Sequence, residues 1–245
     1  MEAIQIRGCH DCRQEACSWI FSGLPPEEFA QFTGLVNHVS YDGGETIFQE
    51  GASPFGAYIV CRGRVKVLGK APNGKRQILK LLRSGELLGE EALFAEGSYT
   101  SSARTLSPTT LAFIPKEKLL GFIRDHPIVA FRLIEKLARE LLAFQTKLVE
   151  VAYGSSEARL ARLLLALGKR FGQPEGERLL IGLELSRAEL AELAGIAPET
   201  AIRTLSRFRQ ERLIELEGPR IILCDLNRLQ GLARPLPVAV HESLL

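Results

Sequence analysis

The sequence predicts an α+β chain: an N-terminal antiparallel β-roll, a long helix and a C-terminal winged helix-turn-helix. Three observations carry this. Short β-rich runs alternate with glycine turns from about Val36 to Pro115. Apolar residues recur in a 4-3 rhythm from Ala130 to Val151. Two short amphipathic segments meet at Gly195 between Ser186 and Leu213. The 245 residues are 46% hydrophobic and 24% charged, which suits a packed core and excludes a disordered or collagen-like chain. The net charge of +2, from 31 basic and 29 acidic residues, gives no overall signature of a polyanionic partner, so any basic patch is local. No run approaches the roughly 18 apolar residues of a spanning helix. The N-terminal stretch MEAIQIRGCHDC has no apolar signal core, so a soluble, cytoplasmic protein without a membrane partner is expected.

In chain order, residues 1–23 form a segment defined by three cysteines, Cys9, Cys12 and Cys17, spaced C-x2-C-x4-C. Five cysteines in total, an odd count without a secretory signal, argue against a disulfide framework. Three thiols this close point to metal or redox chemistry. Pro25-Pro26-Glu27-Glu28 opens a helical stretch through Phe29, Phe32 and Leu35, with acidic residues where the helix dipole favours them.

Residues 24–126 form the roll. Strand-like runs include Thr46–Phe48, Ala57–Val60, Val65–Val67, Gln77–Leu81 and Thr110–Ile114, separated by turns at Asp42-Gly43-Gly44, Arg62-Gly63, Asn73-Gly74 and Ser84-Gly85. Asn-Gly between strands is a hairpin signal. Several strands at this spacing form a small antiparallel roll or barrel.

Residues 127–153 form the long helix. Ala130, Ile134, Leu137, Leu141, Phe144, Leu148 and Val151 make an a/d seam over three heptads. A seam this narrow favours pairing with a second copy over an ordinary core helix packed on its own roll, although both fit the pattern. Gly154-Ser155-Ser156 is a hinge, and a helix follows to Phe171. Residues 173–182 read as a loop and a short strand.

Residues 154–234 end in the most informative segment. Ser186 caps a helix and Glu189 completes a capping box. Gly195 terminates that helix, and Pro198 starts the next. Two short helices joined by a glycine-containing three-residue turn make a helix-turn-helix. The second helix turns Glu199, Thr200, Arg203, Arg207 and Arg209 outward. In a major groove, arginine donates twice to guanine and glutamate accepts from cytosine. Glu199 and Arg203, four apart near the helix start, suit base reading, with an i,i+4 surface ion pair as the alternative. Arg220–Leu223 reads as a wing strand. Residues 235–245 form a tail with two prolines.

Over residues 24–232 the chain resembles the CRP/FNR family of bacterial transcription regulators. The resemblance lies in Gly44-Glu45-Thr46-Ile47-Phe48-Gln49-Glu50-Gly51, in Tyr58-Ile59-Val60 with Gly63-Arg64-Val65, in Gly85-Glu86 with Gly89-Glu90, and in Pro198-Glu199-Thr200 with Arg203. It implies a cyclic-nucleotide-binding-like jelly roll, a dimerisation helix with Ile134, Leu137, Leu141, Phe144, Leu148 and Val151 at the interface, and a winged helix-turn-helix. It also implies a homodimer on a near-palindromic duplex operator, acting with RNA polymerase. Pro198, Glu199, Thr200, Arg203, Arg207 and Arg209, with Ser186, form the implied DNA contact, and Glu199 and Arg203 match the readers of a TGA/TCA core. Ile202 stands where the FNR branch has a polar reader, which leaves the outer base of the half-site open.

The signal is expected from the same resemblance. Family members that bind cyclic AMP hold its phosphate with an Arg-Ser/Thr pair after a Gly-Glu-x-Ala-Leu turn. Here Gly89-Glu90-Glu91-Ala92-Leu93 is followed by Tyr99-Thr100-Ser101-Ser102-Ala103, with no arginine before Arg104. A cyclic phosphate would lose charge-assisted hydrogen bonds worth about 1.5–3 kcal/mol each. An effector pocket at Gly89, Glu90, Ser101 and Ser102 is therefore the weaker expectation. The cysteine triplet resembles the FNR branch, which implies an oxygen-labile [4Fe-4S] cluster on Cys9, Cys12 and Cys17; the fourth ligand is Cys61, taken to follow the strand at Tyr58–Val60, if that strand end faces the N-terminal loop, and otherwise an Asp or Glu or an external ligand. The last spacing is x4 where the best-known FNR pattern has x5, and Ala112 stands at the usual fourth cysteine. Zinc on the cysteines with His10 or Cys61, a thiol–disulfide switch, vestigial cysteines without a metal, and a small-molecule effector remain alternatives. An enzyme is not expected, because the roll has His38 at its edge and no His-x-His.

Overall fold

The computed structural model describes residues 18–71, 74–94 and 97–233. The chain divides into two compact units, and the boundary falls between Glu140 and Leu141, inside the long helix.

The first unit is an antiparallel jelly roll. It contains α1 (Pro26–Leu35), β1 (Asn37–Tyr41), β2 (Thr46–Phe48), β3 (Gly56–Arg62), β4 (Val65–Lys70), β5 (Arg76–Leu82), β6 (Leu87–Leu88), α2 (Glu91–Phe94), β7 (Ser102–Thr105), β8 (Thr109–Pro115) and α3 (Lys116–Asp125), then enters α4 (Pro127–Tyr153). Two four-stranded sheets form, in the orders β1-β8-β3-β6 and β2-β7-β4-β5. Residues from both sheets fill the space between them, Phe48, Val60, Val65, Val67, Leu82, Leu88, Ala103 and Leu111, joined by Tyr99 from the segment before β7.

A second core layer lies on the other face of the β1-β8-β3-β6 sheet. Ala57, Ile59, Ala112 and Ile114 alternate with the interior residues Val60 and Leu111, as the two-residue period of a strand requires. Phe32 of α1, Leu119 and Phe122 of α3, and Val129 and Leu133 of α4 cover that face. Burial on both faces explains why β3 and β8 read as near-continuous apolar runs. Ile20 and Phe21, each 1% exposed, belong to this layer, and the Phe21 ring stacks on Phe32 at 4.0 Å. The roll's core therefore starts before residue 24, and a segment boundary at residue 23 cuts through it.

The second unit holds the end of α4, then α5 (Ser156–Phe171), β9 (Gly172–Glu175), β10 (Arg178–Ile181), α6 (Arg187–Ala194), α7 (Pro198–Gln210), β11 (Ile214–Glu217), β12 (Arg220–Leu223) and α8 (Leu226–Leu232). Its sheet has the order β11-β12-β10-β9. The stretch expected to be a loop before a short strand is instead a hairpin: β9 pairs with β10 around Gly176. Its polar sequence, Gly-Gln-Pro-Glu, suits an edge strand. The wing strand β12 forms as expected, between β10 and β11. Sequence reasoning missed α8, although Asp225 caps it by accepting from the Arg228 N–H at 2.9 Å.

The helix-turn-helix follows its sequence signals closely. The Ser186 hydroxyl accepts from the Glu189 N–H at 3.1 Å, and the Ser186 N–H donates to the Glu189 carboxylate at 2.9 Å. Gly195 adopts φ +66°, and its carbonyl accepts from Arg159 at 2.9 Å, which fixes the turn to α5. Leu190, Ala191, Ala194, Ala201, Leu205 and Phe208 fill the space between and beneath the helices. A side chain at residue 195 would be strained in the left-handed region. Gly195→Ala should lower the unfolding free energy by about 1 kcal/mol, read by chemical denaturation. An unchanged midpoint would mean that this turn tolerates a β-carbon.

Candidate nucleic-acid interface and effector turn

The outer face of α7 presents the expected readers. Glu199, Ile202, Arg203, Ser206, Arg209 and Gln210 are exposed, while Ala201, Thr204, Leu205 and Phe208 face the core. Among the described residues no ion pair joins Glu199 to Arg203. The surface-pair alternative is thus not formed, and both side chains are available to other partners. Thr200 is half-buried at the edge of this face, and its carbonyl accepts from Thr204 at 2.8 Å. Arg207 departs from expectation, because Glu157 of α5 holds its guanidinium at 2.5 Å and Glu211 lies at 3.9 Å. The Ser186 hydroxyl also donates to Glu189 at 2.9 Å, so it serves the helix cap. Pro198 is exposed at the first turn of α7.

The expected effector residues do not form one pocket. Gly89 has φ +81°, and a β-carbon there would lie 3.3 Å from Tyr99 and 3.4 Å from Phe48. Tyr99 stacks on Phe48 at 4.0 Å and donates its hydroxyl to the Gly56 carbonyl at 2.9 Å. Aromatic rings therefore fill the roll beside the glycine. Arg104 follows the inward Ala103 on β7, so strand alternation turns it outward, where it donates to the Gly44 carbonyl. Ser101 is buried. The Ser102 hydroxyl accepts from the Glu50 N–H at 3.0 Å and lines an open groove of about 510 Å³ with Gln49, Glu50, Lys70, Arg76 and Arg104. Gly89 and Glu90 do not line it.

Glu90 is fully buried and has its own internal cation. Lys136 of α4 donates to one Glu90 oxygen and to Glu140 at 2.7 Å. Lys80 of β5 reaches Glu140 at 2.7 Å and Glu91 at 3.7 Å. The second oxygens of Glu90 and Glu91 are buried and have no hydrogen-bond partner among the described residues. Burial pushes the Glu90 carboxyl up to about 7, with Lys136 opposing and Glu91 reinforcing the shift. Burial alone would lower Lys136, but Glu90 and Glu140 outweigh it and raise the ammonium. Burial would raise Glu140, but hydrogen bonds from Lys136 and Lys80 hold it below its ordinary value.

Cys9, Cys12 and Cys17 lie outside the described residues, as do His10 and the tail 235–245. Cys61 lies within β3 and does not follow it. It shares the sheet face of Ala57 and Ile59, and it packs half-buried against the helical layer that holds Ile20 and Phe21. Its thiol is 3.8 Å from the Ile59 carbonyl. Cys224 stands just beyond β12, where burial, reinforced by Glu215, pushes its thiol up. Among the described residues no three metal-capable side chains cluster, and no helix is long and apolar enough to cross a membrane.

Comparisons with known proteins agree on the fold and the DNA-binding unit. Residues 38–126 match the cyclic nucleotide-binding domain, and residues 158–232 match the Crp-like helix-turn-helix domain. A CRP-like cAMP-activated global transcriptional regulator of Mycobacterium tuberculosis is 32% identical over 88% of this chain and 96% of its own length. The chain belongs to the CRP/FNR family. The nitrogen fixation regulation protein FixK of Bradyrhizobium diazoefficiens is 28% identical over 92% of this chain and 93% of its own. The structure of the c-di-GMP-responsive regulator CLP of Xanthomonas campestris matches with a TM-score of 0.71 at 25% identity, covering 81% of this chain and 99% of that one. These relatives are transcription regulators, and the present CRP/FNR protein is a DNA-binding regulator and not an enzyme.

In this CRP/FNR chain α4 has two apolar faces. Val129 and Leu133 are buried in the roll's helical layer. Ile134, Leu141, Phe144, Leu148 and Val151 of the seam are exposed, between 47% and 64%. Ala130 and Leu137 are the exceptions: both are half-buried, and Leu137 packs on the roll's helical layer because it follows Leu133 by one turn.

The ionic cluster gives a signed pH dependence. A carboxyl raised from 4.5 to about 7 in the folded protein withdraws stability as pH rises through that interval. Glu90→Gln should therefore gain thermal stability relative to the parent between these pH values, read as melting temperature against pH. A difference that stays constant across the interval would show that Glu90 does not titrate there.

Proposed function

We propose that this protein acts as a homodimer on a near-palindromic operator with TGA/TCA half-sites, controls transcription with RNA polymerase, and takes its signal through the N-terminal cysteines. The observation that carries the operator reading is the α7 face, where Glu199 and Arg203 stand exposed without pairing to each other. The exposed seam of α4 supports pairing of two copies, since an apolar stripe of this length marks an interaction surface.

The redox reading rests on two features of the first unit. The turn at Gly89 is filled by Tyr99 and Phe48, Lys136 is already paired with Glu90, and Arg104 faces outward, so neither cation is turned toward a cyclic phosphate at this place. Cys61 faces the layer that buries Ile20 and Phe21, and Cys17 precedes Ile20 by three residues, a reach of at most about 11 Å. This supports Cys9, Cys12, Cys17 and Cys61 as a thiolate set for a [4Fe-4S] cluster, which would supply oxygen and redox sensitivity when bound. Arg132 donates to the carbonyls of Ile20 and Ser22, and Arg139 lies 4.9 Å from the Trp19 ring. These contacts tie the chain just after Cys17 to the dimer helix. A second reading is favoured by the groove at Lys70, Arg76 and Arg104, whose three cations suit a small anionic effector.

Two measurements test these readings. Protein purified without oxygen should show a broad visible absorption with about four irons per chain, and both should fall in Cys61→Ser. Colourless, iron-free protein that still binds operator DNA would move the signal to the groove. Arg203→Ala should cost about 1–3 kcal/mol for a duplex with the cognate guanine and much less for a random duplex. Equal loss on both would remove Arg203 as a base reader.

A further inference from the structure

Between Gly154 and Ala233, Ile202 is the one large apolar side chain among the described residues that stands exposed, at 50%. Its surroundings on α7 make this notable. The residues facing the core from the same helix, Leu205 and Phe208, are 1% and 0% exposed. The exposed residues around Ile202 are Glu199 one turn before, Arg203 beside it and Ser206 one turn after. An isoleucine here neither donates nor accepts a hydrogen bond, and it leaves its transfer free energy ungained while it faces water.

A major groove offers one apolar group along its base edges, the C5-methyl of thymine. Opposite an isoleucine, the amine of cytosine or adenine would be desolvated without a partner, so the side chain also works against the wrong base. We propose that Ile202 is a specificity-determining residue that packs on the methyl group of a thymine adjoining the base pairs addressed by Glu199 and Arg203. The inference rests on the DNA-binding reading of α7 and names the base that reading leaves open.

The test uses the full-length protein. Its preferred operator is first selected from a random duplex library, and each thymine in that operator is then replaced by uracil. This exchange removes the methyl and keeps the pairing. At one thymine position of each half-site, uracil should weaken binding about fourfold, the worth of one buried methyl group. Ile202→Ser should bind the thymine and uracil duplexes alike, and 5-methylcytosine at that position should outperform cytosine with the parent protein only. A circular dichroism melt confirms that Ile202→Ser is folded. Three results would overturn the proposal: no uracil effect at any position, a uracil effect that survives in Ile202→Ser, or a preference for a base other than thymine beside the core. Failure to enrich any sequence would remove the operator reading itself, whereas enrichment without a methyl effect removes only the role of Ile202.

Discussion

Two-sided burial of the β1-β8-β3-β6 sheet governs the first unit. One face closes the roll through Val60 and Leu111, and the other accepts α1, α3 and the start of α4 through Ala57, Ile59, Ala112 and Ile114. Each Val, Leu or Ile side chain sealed in this way contributes about 1.5–3 kcal/mol. The constraint reaches beyond the sheet. It draws in Ile20 and Phe21 from the chain that follows the cysteines, and it fixes which face of α4 is committed to the roll. The remaining face of α4 is then left apolar and uncovered.

At the Gly89-Glu90 turn, neighbours within the chain set both the backbone conformation and the buried charge. Gly89 adopts a left-handed conformation and Glu90 is fully buried. Tyr99 packs in the interior beside the turn, and Lys136 pairs with the Glu90 carboxylate from within the chain. A buried ion pair of this kind is a weak source of net stability and a strong constraint on geometry, because either partner left alone is costly. Here the constraint is placed on α4, whose other face carries the exposed seam.

Much of this was legible in the sequence, for identifiable reasons. The helix-turn-helix announced itself through local chemistry: a capping box at Ser186 and Glu189, a left-handed Gly195 and Pro198 at a helix start. Strands β3 and β8 were visible because burial on both faces leaves unbroken apolar runs. Other features depended on distant partners. The β9 strand is polar and short, and only pairing with β10 makes it a strand. Leu137 obeys the seam pattern but lies where the helix still rests on the roll. Arg207 looks like a reader until Glu157, far away in sequence, holds it. The Lys136–Glu90 contact spans 46 residues, and no local pattern announces it.

The ionic cluster at Glu90 has a consequence for how the molecule meets salt. Lys136 is 11% exposed and Glu90 is buried, so mobile ions screen their attraction weakly. Contacts to DNA phosphates behave in the opposite way, since each releases counterions and weakens steeply as salt rises. One protein thus holds two electrostatic attachments with different ionic sensitivities. Raising the ionic strength can release the nucleic acid while the roll keeps its grip on the start of α4, so the grip inside the first unit and the hold on DNA can be varied separately by salt alone.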